Sequence, residues 1–272
     1  MPKDPAEPNK APSRQGGESE WIVVKNKSRA SRNRPPRRPQ AHHLSKQPLD
    51  EDGVNPPRSP SDIEAEYRKI RSQWEQTSCY SQLCQLVAAN ADSARCLSHA
   101  VCLGIGTFDP PDGGWESKRR TFIQLTAFLV MVEEIERITK ASITCYFQEP
   151  IFSQSDIDFI RNLGHQVVDS PDGFGKVDSH SLLFGVHLYR PIYVSALHTL
   201  PAIFVGTGWH VWDQVTLTQT DDLENLKHME TSYTKTPFPE DSSTTAFSST
   251  SIYWQPPGSS EPPSAPAKSP ET

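Results

Sequence analysis

Three short stretches carry residue types that could do chemistry. The first is Leu103-Gly104-Ile105-Gly106, at the end of the apolar run Ala100–Leu103. Two glycines at that spacing let a chain turn sharply and let a bound group approach its backbone, as phosphate-binding loops do. Here no third glycine stands in register and no Gly-Lys-Ser/Thr follows. The insertion Asp109-Pro110-Pro111-Asp112-Gly113-Gly114 also delays the next helix. Two readings therefore stand: a nucleoside-facing loop, or a tight turn that packs a strand on a helix. The second stretch ends at Glu149, where an acid in dinucleotide- or S-adenosylmethionine-binding folds accepts hydrogen bonds from ribose hydroxyls. It lies 43 residues beyond Gly106, against about 20 in the usual spacing, so a solvated loop carboxylate is the alternative. The third is His187, closing another apolar run. It suits a general base, a polar contact or a structural role.

Other chemistry is not written in the sequence. Nine histidines form no His-x-x-x-His, and five cysteines (79, 84, 96, 102 and 145) form no Cys-x-x-Cys. These spacings predict no metal site. There is no Gly-x-Ser-x-Gly elbow. The odd cysteine count, with Cys102 and Cys145 inside apolar runs, predicts reduced buried thiols. A net charge of −6 argues against bulk nucleic-acid binding by the core. The local exception is a basic arm, Lys25, Lys27, Arg29, Arg32, Arg34, Arg37 and Arg38, which contains no acid. Such an arm serves as a nuclear-import signal, a loose RNA contact or a solvated tail. Met1–Lys10 has no signal-peptide character, and no stretch approaches the roughly 20 apolar residues that span a bilayer. The expectation is a cytoplasmic or nuclear protein with no membrane association.

Proline usage sets the domain limits. Eleven of 25 prolines fall in residues 1–60, six in 61–217 and eight in 218–272. The flanks are too poor in large apolar residues to offset the entropy of ordering them. The expected organisation is a disordered arm over 1–60, one domain over 61–217, and a disordered Ser/Thr/Pro-rich tail over 218–272. Trp21-Ile22-Val23-Val24 is an apolar island in the arm, suited to docking or to adding a strand to a sheet edge.

Within the domain, Ser61 and Glu64 offer a capping box for a helix whose Ile63, Tyr67, Ile70 and Trp74 share one face. A second helix is predicted over 78–91. Strand-like runs follow at 99–103, 142–148, 165–168, 181–186 and 202–205. Between the first two lies a long helix, 117–140, with apolar residues at steps of three and four. Ser155 or Asp156 is the expected cap of a short helix that Gly164 ends. Alternating strands and helices imply a doubly wound, mainly parallel five-stranded α/β sheet, Rossmann-like, with a helical lead-in. Gly104, Gly106, Glu149 and His187 would then converge on the C-terminal edge of that sheet.

The order Gly104-x-Gly106, Gln124-Leu125 in a long helix, Glu149-Pro150-x-Phe152, Asp156, Leu163-Gly164 and Val167 resembles the Sensitivity-to-Red-Light-Reduced-like domain family. The leader Trp21-x-Val23-Val24 with its Arg-rich continuation resembles that family's leader. The likeness covers roughly residues 78–215 plus the leader. It implies one α/β domain with a regulatory role, associated with light and circadian signalling, haem-biosynthesis regulation or cytoskeletal phenotypes. The family's acid-Pro-x-Phe corresponds to Glu149, Pro150 and Phe152. Its Pro-His-Cys corresponds to Val186-His187-Leu188, where only the histidine matches. The long tails suggest a fungal member.

Gln124, Pro150 and Phe152 thus join Gly104, Gly106, Glu149 and His187 as candidate strand-end residues. The first functional expectation is a regulatory protein whose strand-end surface, with the basic arm, binds a protein partner or a small ligand without turnover. The second is a methyltransferase-like enzyme using Gly104, Gly106 and Glu149 for a nucleoside and His187 near the chemistry. No particular cofactor is implied. The first is favoured, because no acid–base set can be named beyond the histidine.

Overall fold

Residues pointing alternately to the two faces of a strand must each find a layer to cover them, and here both faces are covered. A computed structural model describes residues 58–215, 221–241 and 243–257. The leader Trp21–Val24 and the basic arm Lys25–Arg38 lie outside the described residues. The elements are α1 (Pro60–Trp74), α2 (Ser78–Ala89), β1 (His99–Leu103), α3 (Trp115–Thr139), β2 (Thr144–Gln148), α4 (Gln154–Asn162) and β3 (Gln166–Val167). They continue with β4 (Ser181–Gly185), α5 (Arg190–Ala196), β5 (Ile203–Thr207), α6 (Trp209–Val215), α7 (Glu224–Ser232), β6 (Thr234–Pro237) and β7 (Thr250–Trp254).

Among the described residues the sheet has seven strands, in the order β3-β2-β1-β4-β5-β7-β6. The first five pair in parallel, and β7 runs antiparallel to both β5 and β6. The doubly wound α/β expectation holds, with seven strands in place of five. The extra two come from the stretch read as a disordered tail, so the ordered fold continues past residue 217. Thr250–Trp254 is wholly buried, and Tyr253 and Trp254 are among the largest fully buried side chains. That burial supplies the apolar gain that the surrounding Ser, Thr and Pro residues lack.

Ala100, Cys102, Leu182, Phe184, Ile203, Val205, Ile252 and Trp254 face the larger core, which α1 to α4 cover. Val101, Leu103, Leu183, Phe204 and Tyr253 face a smaller core with Tyr193, Leu226 and Met229. α3 lies between sheet and lead-in helices, so Thr121–Val132 is buried without interruption. Two caps sit slightly earlier than expected. α1 is capped by Ser59, whose hydroxyl pairs with Asp62 in a capping box, because Pro60 is preorganised for the first helical position. α4 is capped by Ser153, with Asp156 as the box acid rather than the cap. Gly164 takes φ +89°, as a helix-terminating glycine does.

Candidate functional site

β1 and β4 are sequence-distant neighbours, so the winding reverses between them. At such a switch point the two following loops part and leave a crevice beyond the strand ends. Gly104 and Gly106 adopt φ +64° and +87°, conformations that L side chains adopt at a cost. What approaches Gly104 is protein. A Cβ there would lie 2.2 Å from Leu188 Cδ2, and a Cβ at Gly185 would lie 2.7 Å from Leu188 Cδ1. The Leu188 side chain therefore fills the notch between the ends of β1 and β4. This favours the turn reading of the Gly-x-Gly, since a nucleoside over Gly104 would have to displace a leucine.

The loop after β1 is pinned by two carboxylates. Gly104 N–H donates to the Gln148 carbonyl at 3.0 Å, continuing the ladder with β2. Gly106 N–H then donates to Glu149 Oε2 at 2.7 Å, and Ile151 N–H donates to Glu149 Oε1 at 3.2 Å. Both oxygens expected to meet ribose hydroxyls thus hold backbone. Asp156 is fully buried. It accepts from Thr107 Oγ1 at 2.7 Å and Phe108 N at 3.2 Å, and from Ser153 N and Oγ at 2.8 and 2.9 Å. One side chain thereby caps α4 and fixes the β1 loop. Phe152 stacks on Phe108, with ring centroids 5.8 Å apart, and Pro150 forms the turn between them and β2.

The other candidates converge elsewhere. Buried Gln124 donates from Nε2 to the Ala246 carbonyl at 3.0 Å. His187 is exposed, takes φ +57°, and lies with Nε2 2.7 Å from the Ser248 carbonyl. A carbonyl only accepts, so Nε2 carries a proton and is the donor. Ser248 Oγ, 3.3 Å from the same nitrogen, therefore has no base in it. Arg119 adds bonds to the Ser243 carbonyl and hydroxyl at 2.9 and 3.0 Å. Three donors from α3 and the β4 loop thus fasten residues 243–248, between β6 and β7. Five candidates (Gly104, Gly106, Glu149, Pro150 and Phe152) lie in the loops after β1 and β2, while Gln124 and His187 both bond to the β6–β7 loop.

Tyr193 is a site-shaping residue that no motif announced. Its hydroxyl donates to the Gly185 carbonyl at 2.5 Å and accepts Thr207 N–H at 3.0 Å, tying the ends of β4 and β5. Burial raises its phenol above the usual range, so it acts as a neutral tie. Burial likewise pushes the Cys102 thiol well up, and the Cys145 thiol to about 12, leaving neither as a ready nucleophile. Among the described residues, no group of three or more His, Cys, Asp or Glu is placed to hold a metal ion, and no helix is long and apolar enough to cross a membrane.

The rim above this frame carries three large exposed apolar side chains: Trp115 at 58 %, Ile151 at 64 % and Tyr189 at 84 % exposure. Trp115 ends the connection after β1, Ile151 follows β2 and Tyr189 follows β4. Those three strands are adjacent. Single exposed apolar residues are ordinary, and these three follow adjacent strands at the C-terminal edge of the sheet.

No curated protein and no solved structure matches the chain. A family model does, that of the SRR1 domain, over residues 71–254. The match takes in β6 and β7 as well as the parallel strands, and so covers the whole sheet. With more than half its length matched, the chain belongs to the SRR1 domain family.

Proposed function

We propose that this chain is a regulatory interaction protein and that the C-terminal edge of its sheet docks a protein partner. The observation that carries this is the placement of exposed Trp115, at the start of α3, and of Ile151 and Tyr189, on the loops after β2 and β4. Aromatic residues in such a position supply large contact area at low entropic cost. The carboxylates beneath them are engaged with backbone, which suits a preorganised surface better than a reactive one. Membership of the SRR1 domain family supports a regulatory role. A place in light, circadian or haem-biosynthesis regulation, in cytoplasm or nucleus, belongs to the same proposal. So does weak nucleic-acid contact or nuclear import through Lys25–Arg38.

The test replaces all three rim residues, Trp115→Ser, Ile151→Ser and Tyr189→Ser, in the full chain. Unfolding should stay close to the wild type, because the side chains are exposed. Proteins that cross-link to the wild-type chain in cell extract should be lost. An unchanged cross-linking pattern overturns the docking edge. The methyltransferase-like alternative is tested by thermal shift with S-adenosylmethionine, NAD, nucleotides and haem. A true ligand at one hundred times its Kd adds about 2.7 kcal/mol, and such stabilisation by a nucleoside cofactor would restore that reading.

A further inference from the structure

The β6–β7 loop holds an arrangement that the docking reading does not use. Arg119 is a half-buried residue whose guanidinium makes no ion pair among the described residues. Its two hydrogen bonds both go to one neutral residue, the carbonyl and hydroxyl of Ser243. A guanidinium presents its N–H donors in a fixed planar fork that fits a phosphate or carboxylate, and here that fork meets only a neutral serine. Ser243 itself is exposed and sits in irregular backbone, two residues after Glu240-Asp241. Its hydroxyl proton points to Asp241 Oδ1 at 2.7 Å, leaving the lone pairs of Oγ towards Arg119.

We propose that Ser243 is a phosphoacceptor and that Arg119 captures the phosphate within the chain. A protein kinase that accepts acidic residues before the acceptor would supply the γ-phosphoryl group of ATP. The Ser243 Oγ–P bond forms as the bond from that phosphorus to the β–γ bridging oxygen breaks. ADP leaves with the electron pair, and the hydroxyl proton passes to the kinase's base. The ester oxygen then has no proton for Asp241, so that bond is lost. The new charge, about −1.5 to −2 near neutral pH, is repelled by the Asp241 carboxylate and drawn to the guanidinium 3.0 Å from Oγ. Phosphate and planar fork suit bidentate pairing. The modification therefore shifts the hold on this loop from Asp241, inside it, to α3, which already grips it through Gln124 and the Ala246 carbonyl. This reading does not depend on the docking edge.

Two measurements on the full chain test it. Incubation with ATP and acid-directed serine kinases should place phosphate on Ser243, and Ser243→Ala should abolish that incorporation. A folded chain that takes no phosphate at Ser243 overturns the acceptor assignment. With phosphoserine installed at 243, the second phosphate ionisation is followed by 31P NMR. Its midpoint, about 6 for a free phosphoserine, should rise by roughly half a unit to one unit on Arg119→Ala. A midpoint unmoved by Arg119→Ala overturns the capture.

Discussion

Substituting Gly104 tests the claim that Leu188, rather than a ligand, occupies the switch-point notch. Gly104→Ala carries two separable costs. At φ +64° an L side chain costs about 1–2 kcal/mol. A Cβ 2.2 Å from Leu188 Cδ2 must also expel a leucine from a packed position, an overpacking cost of about 1–3 kcal/mol. The expected loss is thus about 2–5 kcal/mol, a large part of the roughly 5–15 kcal/mol that stabilises a domain. Leu188→Ala removes only half-buried methyl groups and should cost on the order of 1–2 kcal/mol. In the double variant the steric cost disappears while the φ cost stays, so the pair should be less destabilised than the sum by about 1–3 kcal/mol. Gly185→Ala separates the two effects. Its Cβ would meet the same leucine at 2.7 Å, but its backbone carries no positive φ, so Leu188→Ala should rescue it almost completely. Urea unfolding of the full chain followed by tryptophan fluorescence reads all five variants, since Trp74 and Trp254 are buried reporters. Additivity within about 0.5 kcal/mol at both glycines would refute the packing argument. A Gly104→Ala chain as stable as the wild type would refute the φ argument as well.

Asp156→Asn keeps the shape of the side chain but removes its charge and half of its acceptor capacity, where four donors converge. Hydrogen bonds to a charged group contribute about 1.5–3 kcal/mol each, so a loss of about 2–4 kcal/mol is expected. Faster amide exchange at Phe108 should accompany it, and exchange left as slow as in the wild type would count against this pinning. His165 offers a pH test, because burial holds its imidazole below the ordinary range although Glu133 and Glu136 oppose the shift. Below about pH 6.5 the unfolded chain binds a proton that the folded chain refuses, so stability falls on acidification until the folded value is passed. His165→Gln should flatten the unfolding free energy across that window relative to wild type. Parallel profiles for the two proteins would show that the site does not titrate differently on folding.

How much of this was legible follows from where each residue's partners lie. The parallel strands could be read because both faces are covered, so Ala100–Leu103, Leu182–Phe184 and Ile203–Val205 are unbroken apolar runs. Parallel order then puts the residue after each strand on one edge, which is why Gly104, Glu149 and His187 could be grouped. β7 carries no such signal, because Thr250-Ser251 opens it and polar, proline-containing sequence surrounds it. Only pairing with β5 and β6 explains its burial. The capping positions shifted because Pro60 and Ser153 decide them locally, against competing Ser and Asp residues two or three positions later. Leu188 was illegible as a plug, since a leucine after a strand announces nothing until its neighbours are two glycines.

Residues of catalytic type hold backbone at this edge. A carboxylate or imidazole near a strand end is available for chemistry only while its polar atoms lack stronger partners. The tight glycine turn creates a backbone N–H at Gly106 that needs an acceptor, and Glu149 supplies it. The β6–β7 loop brings carbonyls at Ala246 and Ser248 to the same end of the molecule, and Gln124 and His187 supply their donors. Loops with such partners hold their shape without a ligand. That is the property a docking surface needs if its exposed Trp115, Ile151 and Tyr189 are to bind without a large ordering cost. On the proposed reading the edge and rim residues divide the labour: the polar set fixes the loops, and the exposed apolar set supplies the docking contacts.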